Sequence, residues 1–128
     1  EFTTKLMIER GVTVAAAESC TGGEFTTAIT DIPGASATLK GGVVVYTDEA
    51  KHKLLGVPED LLREKGAVSY EVAVELARRV REKLGSDFGV GITGLAVSVQ
   101  RGQQMVRRGE NLKLLLNHAS VLTSLHLY

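Results

Sequence analysis

Three short runs of small and β-branched residues punctuate this chain: 12–17 (VTVAAA), 41–46 (GGVVVY) and 88–93 (FGVGIT). None alternates polar with apolar residues as a strand with one wet face would, so each requires cover on both faces. Between them lie segments of helical period. The strongest is 70–84, where Val72, Ala73, Leu76, Ala77, Val80 and Leu84 share one face and Arg78, Arg79, Arg81, Glu82 and Lys83 take the other. Doubly covered strands alternating with one-faced helices point to an α/β sandwich on a largely parallel sheet.

The remaining elements follow from punctuation. Residues 4–10 read as the last turns of a helix that Gly11 stops, with its start cut off at the chain's edge. Glu24 to Asp31 carries Phe25, Ala28 and Ile29 at one-face spacing until Pro33-Gly34 breaks it. Thr47 or Asp48 serves as an N-cap for a helix that runs through Leu54 and Leu55 to the turn at Gly56-Val57-Pro58. Pro58-Glu59-Asp60 opens a short helix closed by Gly66, and Ser69 caps the long one. Past Gly94, Val97-Ser98-Val99 and Met105 to Arg108 flank a hairpin turn, and 110–127 returns to helix with a wide leucine stripe suited to self-association.

At 128 residues the chain holds one domain with one core. Fifteen basic and fifteen acidic residues balance, so no global field draws it to nucleic acid or anionic lipid, and no apolar run approaches the ~20 residues of a membrane span. Trp is absent and aromatics are few, which weakens any stacking platform for single strands. The single cysteine, Cys20, allows no internal disulfide and no zinc cluster; with no leader, the expected setting is the cytoplasm.

In open α/β sheets ligands gather beyond the carboxyl ends of the strands. The first run ends in Glu18-Ser19-Cys20-Thr21-Gly22-Gly23, the second delivers Tyr46 and then Lys51, and the third delivers Thr93 and Gly94. Amides of Thr21, Gly22 and Gly23, with the positive end of the helix that follows, are candidates to stabilise an oxygen acquiring negative charge. A serine becomes a nucleophile only when a base takes its proton, and His52, His118 and His126 occupy no recognisable pattern. That leaves a Ser-Lys pair, Ser19 with Lys51, whose amine must lose its usual pKa of about 10.4 through burial or a neighbouring cation. Tyr46 is placed to relay or position that proton. Each residue has a plainer reading: Ser19 as a helix cap, Tyr46 as a strand end in water, Lys51 as a surface lysine, Cys20 as a small core residue.

The stretches AAESCTGGEFTTAITDIPGAS, GGVVVYTDEAKHKLLGVP, GAVSYEVA and GITGLA occur in that order. Together they resemble the carboxyl-terminal domain of the CinA competence/damage-inducible family, over residues 4 to 96. The resemblance implies a three-layer α/β/α sandwich with a largely parallel, mixed sheet. Because the family includes bacterial nicotinamide mononucleotide deamidases, it also implies an amidohydrolase that turns nicotinamide mononucleotide and water into nicotinate mononucleotide and ammonia, with no metal or cofactor. The family's nucleophile falls on Ser19, its general base on Lys51 and its assisting tyrosine on Tyr46; Thr21, Gly22 and Gly23 become the oxyanion hole, and Gly42, Thr93 and Gly94 shape the nucleotide pocket.

One departure stands out. The family's Gly-Pro, Gly-rich loop after the TGxA element is missing, since Ala96 runs directly into Val97. The segments beyond still resemble the family's closing hairpin and final helix, so residues are expected to be absent between Ala96 and Val97 and near Arg108-Gly109. With the loop absent, Arg107 and Arg108 are the remaining candidates for an anion contact. Two further readings compete with the deamidase: a nucleotide-binding or regulatory module without turnover, and an assembly domain of a larger CinA chain.

Overall fold

The computed structural model describes residues 1–94. Its three strands, β1 (Val14–Glu18), β2 (Leu39–Val44) and β3 (Phe88–Gly91), are all parallel and lie in the order β2-β1-β3. Five helices accompany them: α1 (Phe2–Arg10), α2 (Glu24–Thr30), α3 (Asp48–Leu55), α4 (Glu59–Lys65) and α5 (Tyr70–Leu84). A single 3-10 turn, Ala35–Ala37, precedes β2. Among the described residues no helix is long and apolar enough to cross a membrane.

β1 is the middle strand, and all five of its residues are buried. Ala15 and Ala17 face one core with Leu55, Val57 and Leu62 from the α3–α4 region and Val72, Leu76 and Val80 from α5. Val14 and Ala16 face a second core with Ile29, Ala35, Val90 and Ile92, against which Met7 of α1 and Phe25 of α2 also pack. Helices therefore cover both faces of β1, the three-layer arrangement that a doubly buried run requires. β2 instead alternates half-buried with exposed residues, Val44 among the latter, so the expected cover on both faces does not hold for that strand.

α5 reaches its place because β3 offers it bare backbone. Phe88 and Val90 point into the α1–α2 side, while Gly89 and Gly91 point at α5. A Cβ on Gly89 would sit 2.0 Å from the Ala77 carbonyl oxygen, and one on Gly91 2.2 Å from that of Ala73. β2 adjusts differently. Leu39 pairs with Val14 and Gly41 with Ala15, so Lys40 is one residue too many for the ladder. The extra residue reverses the phase of everything after it, which lets Leu39 join the second core and Val43 the first.

Several boundaries differ from the sequence reading. β1 starts at Val14 rather than Val12 because the Val12 amide caps α1 through the Met7 carbonyl (2.9 Å) and the Thr13 amide donates to Asp87 (2.8 Å). β2 is displaced toward its start and stops before Tyr46. Its ladder ends where the Val45 and Tyr46 carbonyls turn to accept from a side chain, described below. β3 ends at Gly91; the Ile92 amide donates one further hydrogen bond to the Ala17 carbonyl (2.9 Å), and Thr93 then leaves the sheet. The hairpin at 97–108, the helix at 110–127, the Ala96–Val97 junction, and with them the antiparallel part of the expected mixed sheet, all lie outside the described residues.

The close seat of α5 on β3 makes Gly89→Ala and Gly91→Ala overpacking substitutions against immobile backbone. Each is expected to lower the free energy of unfolding in urea by about 3 kcal/mol. Leu54→Ala, at a half-exposed position on α3, is expected to cost less than about 1 kcal/mol in the same experiment.

Candidate functional site

The carboxyl ends of β1 and β2 meet the first turns of α2 and α3, and two ionisable side chains are buried there. Glu18 and Lys51 are each only 1% exposed. Among the described residues neither forms an ion pair with an opposite charge. Each is held by dipoles, and with different consequences.

Glu18 is the last residue of β1. Its Oε1 accepts from the Thr21 hydroxyl (2.7 Å) and the Phe25 amide (2.8 Å). Its Oε2 accepts from the Thr26 amide (2.9 Å) and the Thr26 hydroxyl (2.6 Å). Burial pushes this carboxyl's pKa up, but the four hydrogen bonds outweigh it and hold the group below the usual glutamate range. The chain between Glu18 and Phe25 reverses in a short turn, closed by the Gly22 amide on the Ser19 carbonyl (3.1 Å). Gly22 (φ 61°) and Gly23 (φ 106°) occupy backbone that residues with a Cβ rarely adopt, which explains the paired glycines.

Lys51 comes from the other side. Thr47 caps α3, its hydroxyl accepting from the Ala50 amide at 3.1 Å, and Lys51 follows in the first turns with its side chain directed back at the sheet. Its Nζ lies 3.2 Å from Ser19 Oγ, 3.0 Å from the Val45 carbonyl and 3.4 Å from the Tyr46 carbonyl. Burial depresses the lysine pKa; Asp48 and Cys20 pull weakly the other way. Ser19, 5% exposed, is also within 3.5 Å of the Tyr46 carbonyl. An amine with a weakened hold on its proton therefore touches a serine hydroxyl at the mouth of the sheet.

The other expected site residues are distributed unevenly. The Tyr46 side chain is 60% exposed, and it is its carbonyl that faces the pair. Of the three turn amides, that of Gly22 is spent on the Ser19 carbonyl, and the Thr21 hydroxyl is spent on Glu18. With the Phe25 and Thr26 amides also taken by Glu18, the start of α2 is occupied by the protein's own carboxylate. Thr93 is buried and donates to the Ala67 carbonyl at 2.7 Å, tying the end of β3 to the segment before α5. Gly94 passes so close to Cys20 that a Cβ there would meet Sγ at 3.0 Å. Gly42 faces α2, where a Cβ would meet Thr26 Oγ1 at 2.4 Å. Gly94 thus borders the turn that carries Ser19, whereas Gly42 serves the packing of β2 on α2.

Cys20 is half-buried against the second core, and burial pushes its thiol pKa up, which disfavours the thiolate. It is the Ser19 hydroxyl that lies within hydrogen-bonding distance of Lys51 Nζ. Among the described residues no three His, Cys, Asp or Glu side chains converge as metal ligands. Glu18 is the residue that sequence reasoning passed over. Its signal was present, a carboxylate at a strand end followed by Thr21 and Thr26, but it became a constellation only when the turn folded back.

A family model described as the CinA C-terminal domain matches residues 1–107. A putative competence-damage inducible protein of Desulforamulus reducens is 50% identical over 92 residues, which is 72% of this chain and 22% of that one. A CinA-like protein of Geobacter sulfurreducens is 52% identical over 92 residues, with the same shares. The chain thus spans about a fifth of the length of these curated relatives. Among solved structures, the competence/damage inducible protein CihA of Agrobacterium tumefaciens superposes with a TM-score of 0.73 at 36% identity, covering 81% of this chain and 62% of that one. A CinA superfamily protein of Escherichia coli gives 0.70 at 33% identity, covering 73% and 54%. The parallel α/β sandwich and the matched sequence together make this chain a member of the CinA C-terminal domain family.

Proposed function

We propose that this domain is an amidohydrolase acting on the carboxamide of nicotinamide mononucleotide, with Ser19 as nucleophile and Lys51 as general base. The observation that carries the reading is the 3.2 Å approach of a buried Lys51 Nζ to Ser19 Oγ. In its neutral form the amine donates its two N–H bonds to the Val45 and Tyr46 carbonyls and turns its lone pair to the serine hydroxyl. As Ser19 Oγ bonds to the carboxamide carbon, its proton passes to Lys51. The tetrahedral intermediate collapses when the C–N bond breaks and Lys51 returns the proton to the leaving nitrogen, releasing ammonia. Water, deprotonated by the same amine, then cleaves the acyl ester, giving nicotinate mononucleotide and free Ser19. The Thr21 and Gly23 amides remain as candidate donors to the oxyanion, with Thr93, Gly94 and the exposed Tyr46 ring as candidate contacts for the nucleotide.

A second reading has its own support. The three acceptors around Nζ match the three donors of a charged ammonium, and a charged Lys51 would make the site a nucleotide-binding module without turnover. The two readings separate experimentally. Purified protein is expected to release ammonia from nicotinamide mononucleotide, and Ser19→Ala to reduce release to background. Lys51→Arg keeps a charge that cannot be given up, so it is expected to lower kcat by about 10²–10⁴-fold. Full activity in either variant removes that residue from its role, and binding of the mononucleotide without ammonia release favours the second reading.

The pH profile follows from the direction of the lysine shift. The base works only when deprotonated and burial depresses its pKa, so kcat/KM is expected to rise with pH through a midpoint below the ordinary lysine value of about 10.4. The check is a rate profile by ammonia release from about pH 6 to about pH 11.5. A midpoint at the ordinary value would place the base outside the buried pair.

A further inference from the structure

We propose that Glu18 is the positioning residue of this site: its carboxylate ties together both ends of the turn that carries Ser19 and so fixes Oγ against Lys51 Nζ. The inference rests on the amidohydrolase reading above. Glu18 directly precedes Ser19, and its main chain is itself anchored, its carbonyl accepting from the Val45 amide at 2.8 Å. The side chain then reaches across the turn to Thr21 in its middle and to Phe25 and Thr26 beyond it. A reversal containing Gly22 and Gly23 has much conformational freedom to lose, and a single group that grips it at three places removes that freedom.

The chemistry demands a carboxylate. Oε1 and Oε2 each face one backbone N–H, a donor that cannot be turned round, and one hydroxyl. An amide in the same place would set its NH2 against one of those N–H groups in either orientation, so glutamine, although isosteric, breaks the clamp. The four partners are uncharged, and the nearly complete burial of the group leaves no water to replace them. Glu18 touches neither Ser19 Oγ nor Lys51 Nζ. Its effect on the reaction passes through the geometry of the turn.

The test compares the full chain with Glu18→Gln, Glu18→Ala and Thr26→Val. It reads ammonia release from nicotinamide mononucleotide and the rate at which a fluorophosphonate reagent labels Ser19, with circular dichroism at the assay temperature to establish folding. Glu18→Gln is expected to lower kcat by about 10²-fold with KM changed less than about threefold, and labelling is expected to slow in parallel. In Glu18→Ala, added formate is expected to raise kcat about 10-fold, whereas chloride at equal ionic strength is not. A folded Glu18→Gln with kcat within about twofold of wild type, a loss confined to KM, or a Glu18→Ala that formate does not restore would each overturn the proposal.

If both Glu18 variants fail to fold, Thr26→Val decides, because it deletes one donor to Oε2 and preserves shape. A several-fold lower kcat at unchanged KM supports positioning; an unchanged kcat with a lowered melting temperature reduces Glu18 to a purely structural role. Wild-type protein that labels at Ser19 but releases no ammonia sinks the deamidase alone, since the labelling rates of the variants still decide the role of Glu18. A wild type that neither labels at Ser19 nor releases ammonia overturns both.

Discussion

A middle strand covered on both faces leaves the chain little choice about where polarity can go. Along β1 the backbone is consumed by ladders to β2 and β3, and the side chains of Val14 to Ala17 are consumed by two apolar cores. Only beyond its last rung can a carbonyl, a hydroxyl or a charge be offered to anything else. Glu18 and Ser19 stand at that rung, and the helices that cover the two faces begin there. The location of the site is therefore a consequence of how the sheet is buried.

At that point two ionisable groups receive opposite treatment from the same low-dielectric setting. Hydrogen bonds from amides and hydroxyls keep Glu18 ionised despite burial. Lys51 has carbonyls and one hydroxyl around it, too little to offset the loss of water, and so its proton is loosened. One group is rigid and charged, the other is primed to change its charge. In the mechanism proposed above, the first serves as frame and the second as base for Ser19.

Much of this was legible from residue order. The caps at Thr47 and Ser69, the stop at Gly11 and the one-faced pattern of α5 all have local causes and appear in the structure at those positions. Ser19 and Lys51 were legible as a pair because each ends or follows an apolar run. What was not legible depends on packing between elements distant in sequence. The Lys40 bulge in β2 is visible only against the register of β1, and the role of Gly89 and Gly91 only once α5 lies on them. Tyr46 illustrates the same point: its spacing suggested a hydroxyl at the site, yet the strand ends two residues before it, at Val44, and the chain brings the carbonyl instead.

Sequence by itself determined the class of fold, the order of its elements and which loops carry polar groups, because hydrophobic period, caps and turn residues act over a few positions. Tertiary structure alone decided that Lys51 Nζ meets Ser19 Oγ, that Glu18 rather than a ligand occupies the start of α2, and that Tyr46 faces outward. Distances between side chains separated by tens of residues, and the desolvation that shifts their proton affinities, exist only after the sheet and both helical layers have closed over them.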